Sequence, residues 1–175
     1  DIERAALETQ EDPSPAQAEA ENYKTGKTNW QGLTLSIENR KGSTRRKVGP
    51  DGETAWEVKM PAHYGRILRT EGADGDHVDF YMGDNPESES VWVVDQMNAE
   101  TGRFDEHKAM LGFDNPNSAV ETYMDGFSDG KGPDRLGGVR KMSRVGFQQW
   151  LNGKHKAPVS GPARAKDKEA AQGGQ

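Results

Sequence analysis

The stretch Glu71-Gly-Ala-Asp-Gly-Asp-His-Val-Asp-Phe-Tyr-Met82 constrains the chain more than any other. Gly72 and Gly75 let the backbone turn tightly, and an apolar run, Val78, Phe80, Tyr81 and Met82, follows at once. This pattern reads as an acidic turn feeding a buried strand. Alternation sets Asp79 on the face opposite Val78 and Phe80. Asp74, Asp76 and Asp79 would then gather oxygen donors at the mouth of a rigid element, which suits Mg²⁺ or Mn²⁺. Asp-Gly pairs are also ordinary solvated turn formers, so the turn alone leaves both readings open.

Composition narrows the setting. The 175 residues have room for one domain of ordinary size with additional ends. A hydrophobic fraction of 31% against 30% charged residues implies that not all of the chain packs. A net charge of −6 argues against general nucleic-acid binding, which needs a basic surface. The absence of cysteine removes disulfides, thiolate metal sites and cysteine nucleophiles, and points to an intracellular or redox-indifferent setting. No apolar run reaches transmembrane length, so a membrane partner is not expected. The chain begins at Asp1 rather than methionine, as a processed product or part of a longer polypeptide would.

Residues 1–28 are Ala/Glu/Gln-rich, with Pro13 and Pro15 in the middle, and Ile2 and Leu7 give any helix there a thin apolar stripe. The expectation is a flexible arm or linker, followed by a domain over 29–152 and a disordered tail over 153–175. Leu33-Thr-Leu-Ser-Ile37 alternates as a strand. The turn signal Gly49-Pro-Asp-Gly52 predicts a hairpin returning through Trp56 to Met60. Pro61 to Gly65 breaks the run, and Ile67-Leu68 begins another short strand. Val91 to Val94 is a central strand, and Phe104 to Gly112 a further one. Asn115 caps a helix with Pro116 at its first position. A glycine-rich loop covers 126–138, Gly137 to Met142 returns as a strand, and Ser143 caps a helix over 144–151. The sum is an α+β, mainly β chain: a small barrel or strongly curved sheet with two helices packed outside it. The four tryptophans are assigned to its core.

Several elements, taken in order, resemble the soluble family I inorganic pyrophosphatases. Glu38-Asn-Arg-Lys-Gly-Ser-Thr-Arg-Arg46 resembles the family's Glu-x-x-Lys-Gly-Ser-x-x-Lys element, and Pro61-Ala-His-Tyr-Gly65 its Tyr-Pro-x-Asn-Tyr-Gly segment. Asp74-Gly-Asp-His-Val-Asp79 resembles its Asp-Gly-Asp-Pro-x-Asp signature, with His77 in place of proline. Gly102-Arg-Phe-Asp-Glu-His-Lys108 resembles the later Asp-x-Lys element, one residue longer. More closely still, the chain resembles the pyrophosphatase-like domains of large multidomain phage and mobile-element proteins. That would give it a larger parent polypeptide or phage-particle partners, and a host-cytoplasmic or virion location.

The resemblance implies an OB-type β-barrel, closed or partly open, and divalent-metal hydrolysis of pyrophosphate to two phosphates. It assigns Asp74, Asp76, Asp79 and Asp105 to Mg²⁺ or Mn²⁺, with Asp79 as the bridging ligand. Asp76 becomes the group that deprotonates water, with Glu38 and Tyr64 beside it. Lys41, Arg46 and Lys108 become phosphate-binding groups, and Lys131 and Arg135 add loop-borne cations. The family's further metal-binding acid has only Asn98 or Glu100 near its place, and its arginine before the tyrosine only Lys59, Arg66 or Arg69. Two other functions stay open: a weak or inactive structural or virion-associated module, and a phosphohydrolase acting on another phosphoanhydride such as a nucleotide. A homo-oligomer is compatible with all three.

Overall fold

The structure is a computed structural model that describes residues 1–153 and 155–160. The predicted tail beyond residue 160 lies outside the described residues. Among the described residues nine strands and five helices run in the order α1 (Ile2–Glu8), α2 (Pro15–Glu19), β1 (Gly26–Trp30), β2 (Leu33–Asn39), β3 (Thr44–Val48), β4 (Thr54–Lys59), β5 (His63–Ile67), β6 (Val78–Met82), β7 (Ser90–Met97), β8 (Phe104–Leu111), α3 (Pro116–Asp125), α4 (Gly132–Arg135), β9 (Leu136–Ser143) and α5 (Arg144–Asn152).

Seven strands form one sheet in the order β1-β2-β5-β6-β8-β7-β9, while β3 and β4 form a separate hairpin. The chain is mainly β, as expected. No pairing joins β1 to β9 among the described residues, so the sheet is open and no closed barrel is formed. The β7–β8 hairpin folds back so that β8 lies parallel to β6, placing Asp79 directly beside Lys108.

Strand alternation divides the apolar side chains between two cores. Leu35, Ile67, Val78, Phe80, Val93 and Leu111 face one side, where α1 and α5 cover them with Ile2, Ala5, Phe147 and Leu151. Tyr64, Tyr81, Trp92, Val94 and Met110 face the other, covered by Ala119 and Tyr123 of α3. The Asn115 side chain caps α3 by accepting from the Ser118 amide, and Ser143 caps α5 by accepting from Gly146.

Several elements depart from the sequence reading. The expected arm is structured: Ile2, Ala5 and Ala6 are buried in the first core, and β1 forms the sheet edge. Small residues make this docking feasible. A Cβ on Gly26 would stand 1.7 Å from the Ala5 carbonyl oxygen, so α1 sits on the backbone itself. The start of the expected tail is also docked. Asp95 accepts hydrogen bonds from the Val159 amide (2.8 Å) and the Ser160 hydroxyl (3.0 Å). The segment read as a break, His63 to Gly65, is strand. Gly65 serves there by close approach, since a Cβ would lie 1.9 Å from the Ser36 carbonyl oxygen. Trp30 and Trp92 are buried, whereas Trp56 is 39% exposed on the β3–β4 hairpin.

Candidate functional site

A cleft of about 570 Å³ opens on the face of the sheet that carries the second core. Its floor is a row of alternating charges set by register. Glu38 lies on β2 at the bulge opposite β5; Arg66 on β5 pairs with Asp79 on β6, and Asp79 with Lys108 on β8. Arg66 donates two hydrogen bonds to Glu38, at 2.9 and 3.1 Å. Lys108 Nζ donates to Asp79 Oδ2 at 2.6 Å and to the Tyr64 hydroxyl at 2.8 Å, and forms an ion pair with Glu106. Tyr64 in turn donates to Asp79 at 2.6 Å.

The acidic turn forms one wall. The Gly75 amide donates to the Gly72 carbonyl, and Gly75 has φ +87, a region only glycine adopts freely. The Asp74 carboxylate accepts from the Asp76 amide at 3.1 Å. His77, standing where the resembling family has proline, ties the turn to the Thr70 carbonyl through Nδ1 at 3.0 Å.

Electrostatics follow from this packing. Burial alone would push the Asp79 carboxyl up, but Lys108, then Tyr64 and Arg45, outweigh it and hold it below the ordinary carboxylate range. Burial would likewise pull Lys108 down, and Tyr64, Asp79 and Glu106 raise it well above the usual lysine value. Glu106 goes the other way. Burial pushes it up to about 7, with Lys108 opposing and the neighbouring Asp74 carboxyl adding to the rise. The neighbouring Glu106 carboxyl in turn holds Asp74 below its usual value. Desolvation keeps the Tyr64 hydroxyl protonated.

Not every expected residue enters the cleft. Glu38, Tyr64, Asp74, Asp76, Asp79, Lys108 and Arg135 line it. Asp105 does not: it is exposed, while Glu106, on the same strand face as Lys108, lines the cleft in its place. Alternation from Lys108 selects position 106, and that two-residue step is the family's Asp-x-Lys spacing. The same parity exchanges the arginines. Arg46 pairs with Glu57 and Asp12 on the outer face of the hairpin. Arg45 turns inward, with its guanidinium 4.5 Å from the Tyr64 ring centroid and 5.3 Å from that of Trp56. Lys41 reaches Asp84 at 3.3 Å, away from the cleft. Lys131 is exposed and outside the lining. Arg66 is the one of the three alternatives for the missing arginine that lies in the cleft.

The sequence reading missed Arg45, Glu106 and Gln96. Gln96 accepts from the Tyr123 hydroxyl at 2.9 Å and reaches Glu106 at 3.5 Å, tying α3 to the cleft. His107 faces the opposite side of the sheet, 3.3 Å from Asp95.

Among the described residues no three Asp, Glu or His side chains gather around one point as metal ligands. The donor chemistry nevertheless fits a hard divalent cation. Asp74, Asp76, Asp79 and Glu106 all line one cleft. Added positive charge would stabilise all four.

A model of the inorganic pyrophosphatase family matches residues 15–152. No curated protein and no solved structure matches the chain. The matched span covers most of the chain, including every strand and every cleft residue named above, and the chain belongs to the inorganic pyrophosphatase family.

Proposed function

We propose that the cleft hydrolyses inorganic pyrophosphate to two phosphates with a divalent cation, Mg²⁺ or Mn²⁺. The supporting observation is the charge row Glu38–Arg66–Asp79–Lys108 with Asp74, Asp76 and Glu106 around it. It sets carboxylates and cations side by side, as a reaction between a polyanion and activated water requires. The OB-type description of the sheet, and a place within a phage-derived polypeptide, belong to the same reading and rest on family likeness alone.

Asp74, Asp76, Asp79 and Glu106 would hold the cation, which supplies charge screening and a lowered pKa for the attacking water. The remaining work falls to the chain. Asp76, exposed at the turn, takes the proton from water. Lys108 exchanges a carboxylate partner for a phosphate oxygen, and Arg45, Arg66 and Arg135 present planar donors to the rest of the anion. Tyr64, kept protonated by burial, donates to the phosphate group that leaves. Glu38 orients Arg66 through its two hydrogen bonds.

Phosphate release from pyrophosphate, compared between the wild-type chain and Asp79→Ala, tests this reading. Release in Mg²⁺ or Mn²⁺ that the variant loses supports it; equal rates for the two proteins sink it.

A further inference from the structure

Trp56 has no part in the proposed phosphate chemistry, yet it lines the cleft. The large apolar side chains exposed among the described residues are Leu7, Trp56 and Val145, and Trp56 is the aromatic one. An exposed indole at the rim of a charged cleft is a feature that core packing does not explain. The Arg45 guanidinium lies 5.3 Å from its ring centroid and 4.5 Å from that of Tyr64. Directly across the hairpin from Trp56 stands Lys47. Lys47 also lines the cleft and is exposed. It has no ion pair among the described residues, whereas its neighbour Arg46 is engaged by Glu57 and Asp12.

Phe127, also in the lining, carries the Arg135 guanidinium 4.5 Å over its ring, with Arg135 pinned to Asp129 by two hydrogen bonds of 2.8 Å. The cleft thus runs from the charge row outward to a flat aromatic surface with a cation beside it. A volume of about 570 Å³ falls in the range that encloses organic ligands, and pyrophosphate would leave most of it unfilled.

We infer that the β3–β4 hairpin forms a nucleoside subsite, in which the base of a nucleoside diphosphate stacks on Trp56 and Lys47 meets the phosphate bearing the ribose. The inference rests on the pyrophosphatase reading of the charge row, because the same centre would act on the terminal phosphate. A water oxygen bonds to the terminal phosphorus and the bridging P–O bond breaks. The electron pair leaves with the nucleoside monophosphate, and the surplus proton of the water goes to solvent. Nucleoside diphosphate and water give nucleoside monophosphate, phosphate and a proton. The aromatic face supplies affinity without base selectivity, since every base has a π-face.

The experiment compares pyrophosphate and ADP as substrates in Mg²⁺ for the wild-type chain, Trp56→Ala and Trp56→Phe. Both substrates are expected to be cleaved by the wild type. Trp56→Ala should lower the ratio of kcat/KM for ADP to that for pyrophosphate roughly 5- to 150-fold, the worth of one base–aromatic stack, mainly through KM. Trp56→Phe should restore most of the ratio. Cleavage of pyrophosphate without cleavage of ADP, or a ratio unchanged in Trp56→Ala, overturns the subsite and leaves the pyrophosphatase reading standing. If neither substrate is cleaved, that reading fails, and equilibrium dialysis with ADP decides the subsite. Saturable binding lost in Trp56→Ala upholds it, and no binding overturns it.

Discussion

Replacing Lys108 with methionine removes the cation on which the cleft converges. Lys108 is 5% exposed, and its ammonium serves Asp79, Glu106 and Tyr64 together. Breaking a buried ion pair by deleting one partner costs about 3–5 kcal/mol, because the other charge stays buried. Here the carboxylate side chains retain 24% and 18% exposure, so water offsets part of the cost. An expectation of about 2–4 kcal/mol follows. The sign with pH is fixed by the partners. In the wild type Asp79 is held low by Lys108, so its contribution is present above the unfolded carboxylate value and is lost as pH falls through the folded value. In Lys108→Met the orphaned carboxyls are raised instead, and they escape the penalty by protonating. The difference between variant and wild type should therefore be large at pH 8 and shrink at pH 5. Urea denaturation in a chelator at the two pH values reads it. A difference under about 1 kcal/mol at pH 8, or one that does not change with pH, would refute the reasoning.

Other perturbations test separate parts of the account. Without metal, Glu106 has a folded value of about 7, above its unfolded 4.5, so its contribution to stability is full below pH 4.5 and declines as pH rises to 7. Glu106→Gln should flatten that part of the stability–pH curve measured by urea denaturation. Gly65→Ala drives a methyl into the Ser36 carbonyl and should cost about 3 kcal/mol or more, read as a fall in Tm. Ile2→Ala should cost about 2 kcal/mol if α1 is docked, whereas a loose arm would show no change in urea midpoint.

Much of the architecture could be read from the sequence because local signals and tertiary context agree there. The alternation of 33–37, the Gly-Pro-Asp-Gly turn, the apolar runs at 78–82 and 91–94, and the caps Asn115 and Ser143 each correspond to an element of the structure. The failures have physical reasons. α1 presents Ala5 and Ala6 rather than a wide apolar stripe, and it docks because Gly26 lets two backbones approach, which no hydrophobic pattern encodes. His63 to Ile67 follows a proline and lacks alternation, since neighbours cover both of its faces. In the cleft, the matched motifs lie on or beside elements that line it, but two of the expected side chains point away from it. Arg45 for Arg46 and Glu106 for Asp105 are each a one-residue step, and in a strand one step exchanges the cleft for the opposite face. Counting by twos from Lys108 recovers Glu106. Arg45 has no such anchor, because the β3–β4 hairpin lies outside the main sheet.

The most direct measurement of the central claim is the initial rate of phosphate release from pyrophosphate as Mg²⁺ is raised from zero in the wild-type chain. The account predicts no release in chelator, a saturable rise with Mg²⁺, and two phosphates for each pyrophosphate consumed. A rate that stays at background across the Mg²⁺ range would contradict it and favour a non-catalytic module built on the same fold.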